Sequence, residues 1–347
     1  MIDTLGFVEA VRGLPEQLAT AHRAAGAIPT GRFPSADGVT NVVVCGMGGS
    51  GIVGDVVAVA ASHELPVPVV VCKQIRLPRF VGPGSLVFAV SYSGATEETL
   101  SMAQRAIDAG ARVVAVCTGG PLADLVEGAG GLVLPCPPGS MPRAALGALL
   151  APVVVTLFRT GLLPGAHDAL VAAEAQLARR RDACAPEVAG AENPARELAR
   201  RIGRTIPVVY GAGALGGVAA QRWKADVNEN AKAPAFWNAF PEVGHNEICG
   251  WGQHGDVTRQ VITLVELRHD LEDPLLEPRI AATREIVEET VAQVLSARAQ
   301  GEGRLAQLLD LMYLGDWVSV YLAADAGVDP GPIDAITRLK AELAGLA

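Results

Sequence analysis

The chain has 347 residues, half of them hydrophobic but only 4% aromatic. That length accommodates two domains of ordinary size, and a composition dominated by Ala, Val, Leu and Gly suits α/β layers better than an aromatic-rich β sandwich. The formal net charge of -9 argues against nucleic acid or an anionic membrane as a partner, while a locally positive pocket for a small anion remains compatible with it.

The N-terminal stretch MIDTLGFVEAVRGLPEQ carries acids and lacks an apolar signal core. Apolar β-branched runs follow at 41–45, 67–72, 85–90 and 112–117, with a weaker one at 131–134. Helical patterns lie between them at 52–62, 97–109 and 121–128. Continuous apolar strands alternating with helices predict a parallel sheet covered on both faces, a three-layer αβα arrangement. Cys45, Cys72 and Cys117 each end such a run, and the six cysteines form no C-x-x-C pair. They read as free thiols in a reducing compartment, so a cytoplasmic location is expected.

A Pro/Gly-rich stretch, PCPPGSMPR, occupies 135–143, followed by helical sequence to about 200. The longest apolar run, Ala144 to Phe158, contains Pro152 and is too short to span a bilayer. A second unit opens with IPVVYG at 206–211. Its GAGALG at 211–216 echoes GMGGSG at 46–51, which indicates a diverged internal repeat. Two α/β domains are therefore expected, 1–155 and 156–347, the second ending in a helical tail with helices over 276–299, 304–325 and 332–345.

Both glycine loops match G-x-G-x-x-G between a strand and a helix, the dinucleotide fingerprint. That reading requires an acid at the end of the next strand to hold the ribose. The first unit has Cys72 and Lys73 there, and the second offers no clean strand at that distance. A tight turn without a ligand is the plainer alternative. The loop after strand 85–90 reads SYSGATEETL and places Ser91, Ser93 and Thr96 just before a helix. With Gly49 and Ser50 in the neighbouring loop, these hydroxyls and free backbone N–H groups form a candidate phosphate cradle. Simple helix capping, which Glu97 and Glu98 would also suit, is the competing account.

Three of these segments, GMGGSGIVGD, SYSGATEET and GARVVAVCTGGPLADL, resemble the sugar isomerase (SIS) domain, a phosphosugar-binding fold. Two more, RWKADVNENAKAPAFWNAFPEVGHNE at 222–247 and GDWVSVYLAADAGVDPGPIDAITRLK at 315–340, resemble the bifunctional phosphoglucose/phosphomannose isomerases. Together the motifs span nearly the full length. The resemblance implies two sugar-isomerase-type domains, a phosphosugar substrate, no cofactor and no metal, and a homodimer whose histidine reaches the neighbouring subunit's site. It implies Glu229 as catalytic base, His245 as the ring-opening group, and Lys340 and Arg143 as cations at the reacting carbons. Gly49, Ser50, Ser91, Ser93 and Thr96 take the phosphate contacts. One departure is Ala95, where the family commonly has Asn.

Aldose–ketose isomerisation needs these residue types. Histidine opens a sugar ring near neutrality. One carboxylate in a partly apolar setting, expected from Phe236, Trp237 and Phe240, moves a proton between C2 and C1. A fixed cation stabilises the enediolate. His245, Cys249 and His254 offer a competing zinc site, although Gly250 and Gly252 break the helix that would gather them. Two further functions compete: a non-catalytic phosphosugar sensor, which would have no use for Glu229, and an amino-sugar phosphate enzyme, for which no amine-handling segment is evident.

Overall fold

A computed structural model describes residues 1–344 of the chain. The strands are β1 (Asn41–Cys45), β2 (Val69–Cys72), β3 (Ser85–Val90), β4 (Arg112–Cys117), β5 (Leu132–Pro135), β6 (Ile206–Ala212), β7 (Phe236–Phe240), β8 (Ile262–Arg268) and β9 (Gln293–Arg298). The helices are α1 (Phe7–Arg12), α2 (Leu14–Gly26), α3 (Gly48–Ala60), α4 (Glu97–Asp108), α5 (Pro121–Gly128), α6 (Leu146–Arg159), α7 (Ala166–Cys184), α8 (Pro194–Ile202), α9 (Gly213–Asn230), α10 (Gly255–Val261), α11 (Leu276–Val287), α12 (Gly303–Asp325) and α13 (Asp334–Ala344).

The first sheet has the order β2-β1-β3-β4-β5 and the second β7-β6-β8-β9, and every pairing is parallel. Both sheets thus share one neighbour pattern, in which the first strand of the unit sits between the second and the third. Alternate residues of the central strands pack on opposite faces. Val42, Val44, Leu86 and Phe88 meet α3 and α6, while Val43, Val87 and Ala89 meet Met102, Ala103 and Ala106 of α4 and Leu122 of α5. In the second sheet Val208, Tyr210 and Leu264 face Leu276 and Ile280 of α11. Val209, Val265 and Leu267 face α9 and α12. Burial on both faces is why these strands read as unbroken apolar runs. Helix α12 packs against α7, α8 and α9 and is buried from Leu305 to Ala323. Residue 155 lies inside α6.

The repeat extends to the turns. A Cβ on Gly46 would come 2.8 Å from the carbonyl oxygen of Val90, and one on Gly51 2.7 Å from the carbonyl oxygen of Gly46. At the equivalent places, a Cβ on Gly211 would overlap Gly216 at 2.0 Å, and one on Gly216 would lie 2.8 Å from Gly211. The glycines let each helix start directly on its strand, which accounts for both fingerprints without a dinucleotide.

Three expectations change. Residues 276–299 are not one helix: α11 ends at Val287 and β9 follows. Strands β7 and β8 complete a second sheet of which only β6 was expected. Helix α3 begins at Gly48 rather than at 52. All six cysteines are free, five of them buried and Cys249 exposed. No helix among the described residues is long and apolar enough to cross a membrane.

Candidate functional site

In this strand order the chain reverses direction across the sheet between β1 and β3, the place where open parallel sheets generally bind ligands at the carboxyl ends of their strands. The two loops, 46–47 and 91–96, are coupled: the Tyr92 N–H donates to Ser50 Oγ at 3.1 Å. Ser50 and Ser91 are buried, and Ser91 Oγ lies 2.9 Å from Thr96 Oγ1. Thr96 stands in the N-cap position of α4 yet makes no side-chain capping bond. Ser93 is exposed and accepts the Ala95 N–H at 3.3 Å. Helix α3 also starts without a side-chain cap. Both helix N-termini therefore keep first-turn N–H groups for another acceptor. At the equivalent place in the second sheet the ends of β6 and β8 are joined by a side chain of the chain itself. His269 is buried there with Nε2 2.9 Å from the Ala212 carbonyl oxygen, and burial pulls its pKa down, favouring the neutral ring.

The serine loop also directs the Pro/Gly stretch. The Tyr92 hydroxyl donates to the Pro137 carbonyl at 3.0 Å and accepts the Ser140 N–H at 2.8 Å. This brings Arg143 against the glycine loop, where a Cβ on Gly49 would stand 2.8 Å from Arg143 Cα and 2.9 Å from the Pro142 carbonyl oxygen. Arg143 is buried. Its Nε donates to Asn230 Oδ1 at 2.8 Å, its Nη2 to the carbonyls of Pro330 and Gly331 at 2.7 Å each, and the Phe7 ring lies 4.5 Å from the guanidinium. Burial lowers its pKa and Glu229 opposes that shift; the guanidinium stays charged.

Glu229 lies in the last turn of α9 with Oε2 3.9 Å from Arg143 Nε, and its side chain is 28% exposed. It lines a cavity of about 410 Å³ with Asn228, Lys232, Ile333 and the start of α13, Asp334 to Ile336. The apolar lining beside the carboxylate therefore comes from Ile333 and Ile336. Phe236 and Trp237, expected there, stand 58% and 40% exposed on the edge strand β7, and Phe240 is buried in the core beneath it.

The face of α9 that carries Glu229 is held by groups that the motif reading missed. Arg222 pairs with Asp226 at 2.7 Å and Asp316 at 3.1 Å, and its Nη2 donates to the Arg143 carbonyl at 2.5 Å. Burial, reinforced by Asp316, pushes the Asp226 carboxyl well above its usual range despite Arg222. Asn230 Nδ2 donates to Ser319 Oγ at 2.9 Å. Arg222, Asp226 and Asn230 are spaced four apart, one helical face, and that spacing within the polar segment RWKADVNEN was the available signal.

The structure thus gathers Gly49, Arg143 and Glu229, beside Ser50 in the first turn of α3 and the loop bearing Ser91, Ser93 and Thr96. It does not bring His245 or Lys340 to them. His245 is exposed at the end of a 3-10 turn, Glu242–His245, and Lys340 is on the exposed surface of α13. No three His, Cys, Asp or Glu side chains among the described residues are placed to share a metal ion, so His245, Cys249 and His254 do not form the competing cluster.

Comparison with known proteins finds relatives over nearly the whole chain. The profile of the bacterial phospho-glucose isomerase C-terminal SIS domain matches residues 191–343. The bifunctional phosphoglucose/phosphomannose isomerase of Caldicellulosiruptor bescii is 36% identical over 97% of this chain and 98% of its own. That of Aquifex aeolicus is 34% identical over 87% of this chain and 90% of its own. Among solved structures, the C-terminal domain of glucosamine-fructose-6-phosphate aminotransferase from Francisella tularensis superimposes with a TM-score of 0.71 over 95% of this chain and 98% of its own, at 17% identity, a likeness of fold. The chain belongs to the bifunctional phosphoglucose/phosphomannose isomerase family.

Proposed function

We propose that this isomerase interconverts fructose 6-phosphate with glucose 6-phosphate and mannose 6-phosphate through a cis-enediolate, without a metal or a cofactor. The observation that carries the reading is the contiguity of Gly49, Arg143 and Glu229. A phosphate held by Gly49, Ser50, Ser91, Ser93 and Thr96 leaves the sugar to run past Arg143 toward Glu229. Glu229 takes the C2 proton and returns it to C1. Arg143, charged and already held by its neighbours, faces the developing oxyanion without reorganising. The two aldoses differ only in configuration at C2 and share the enediolate, so one base serves both.

His245 opens the ring in this reading. Its exposure in this chain suits donation into the site of a second copy, and the proposed assembly is a homodimer in the cytoplasm. Lys340 supplies a further cation if α13 closes over the sugar.

The test is a coupled assay on purified enzyme with each aldose phosphate, in the presence of a strong chelator and with sedimentation at the assay concentration. The expected result is turnover of both sugars, with kcat/KM within roughly 100-fold of each other, by a dimer indifferent to chelation. Activity lost to the chelator and restored by zinc refutes the metal-free mechanism, a fully active monomer refutes the shared histidine, and turnover of one sugar alone refutes dual specificity.

The phosphate assignment has its own check. Replacing Ser91 and Ser93 together with alanine raises KM far more than it lowers kcat, because phosphate lies away from the reacting carbons and its contacts serve ground state and transition state alike. An unchanged KM returns these hydroxyls to a structural role.

A further inference from the structure

Lys232 is the one non-glycine residue with positive φ, 55°, among the described residues. It follows Ala231, the C-cap of α9, where helices commonly stop on glycine because an L side chain crowds the left-handed backbone. The turn is closed by Ala233 N–H on the Val227 carbonyl at 3.4 Å and by Asn228 Nδ2 on the Ala233 carbonyl at 2.9 Å. A strained conformation at a non-glycine residue persists where its surroundings over-determine it, and such residues cluster at functional sites.

The side chain shows what the position gains. Nζ donates to the carbonyls of Glu229 at 2.5 Å, Asn230 at 3.5 Å and Pro330 at 3.3 Å. The Pro330 carbonyl is the one that Arg143 Nη2 also holds, at 2.7 Å. Two cations from different parts of the chain thus grip a single carbonyl. They draw the 329–331 loop onto the end of α9, beside the cavity that Glu229 and Lys232 line together. Burial and the Arg143 charge lower the Lys232 pKa, while Asp329, Glu229 and Asp334 support its charged form.

We infer that Lys232 is a positioning residue for the isomerisation: its ammonium locks the last turn of α9 to the 329–331 loop and so sets where the Glu229 carboxylate and the Arg143 guanidinium meet the substrate. This rests on the proposed role of Glu229 as base. A helix stop needs no side chain here, and glycine would supply the turn without strain. What glycine lacks is the grip on Glu229, Asn230 and Pro330.

Three variants test it in the full-length enzyme: Lys232→Gly, Lys232→Arg and Glu229→Gln. Lys232→Gly relieves the backbone, so its melting temperature is expected to stay the same or rise. Its KM stays near wild type, while kcat falls by at least about tenfold, as misplacement of reacting groups predicts. Lys232→Arg restores a cation and recovers most of that loss. Wild-type kcat in Lys232→Gly overturns the inference. So does a loss of kcat that tracks a lowered melting temperature, or one that Lys232→Arg fails to recover, since those outcomes describe a structural helix stop alone. An active Glu229→Gln would instead overturn the assignment of the base, whereas an inactive Glu229→Gln beside a fully active Lys232→Gly would overturn only the role of Lys232.

Discussion

Glu229→Gln lowers kcat by at least about 100-fold, the usual contribution of a positioned general base, and leaves phosphosugar binding close to wild type. The amide nearly matches the carboxylate in shape but takes no proton. Asn230, not Glu229, receives the Arg143 Nε hydrogen bond, so Arg143 keeps its place when Glu229 changes. The carboxylates that follow along the chain are poor substitutes. Glu247 accepts hydrogen bonds from the Tyr210 hydroxyl and Asn238 Nδ2, and Glu242 accepts one from Asn246 Nδ2. Both lie in the segment that carries His245. A smaller drop in kcat would move the base elsewhere. A rise in KM with kcat unchanged would recast Glu229 as a binding group.

How much of this was legible in the sequence follows from how each element is buried. Strands β1, β3 and β4 were evident because burial on both faces demands unbroken apolar side chains. The second sheet was mostly hidden. β7 is an edge strand with two exposed aromatics, β8 is interrupted by a buried Glu266 paired with Arg284, and β9 is only six residues long, mixes polar with apolar side chains and starts shortly after α11 and a 3-10 turn at Glu288–Thr290. Helical and strand periods compete over so short a stretch. The glycine and hydroxyl loops proposed to hold phosphate were readable because their spacing is local. Arg143 was not, beyond the family resemblance, because its place depends on Tyr92 holding a proline-rich loop from far along the chain. His245 and Lys340 remain assigned by resemblance, since one chain places neither beside Glu229.

The proposed link between a phosphate cradle and a catalytic pair predicts that two adjacent glycines fail differently. Gly48 has φ of +51°, and a Cβ there meets nothing within 4 Å. Gly49 has no such backbone demand, but its Cβ would meet the backbone of Pro142 and Arg143 at 2.8 to 3.0 Å. Gly48→Ala is therefore expected to destabilise by about 1–2 kcal/mol through left-handed strain and to raise KM while largely sparing kcat. Gly49→Ala forces backbone apart from backbone, an overpacking cost of about 1–3 kcal/mol, and the segment that yields carries Arg143. That guanidinium is tied to Asn230 and to the Pro330 and Gly331 carbonyls, so moving its backbone either breaks those bonds or drags the end of α9 with it. Since a displacement near 1 Å suffices for about a 100-fold loss, kcat itself is expected to fall on that scale in Gly49→Ala. Thermal melting and steady-state kinetics on both variants separate the two. If Gly49→Ala kept its kcat and lost only affinity, the glycine loop would bind phosphate without setting Arg143, and the contiguity on which the mechanism rests would be incidental.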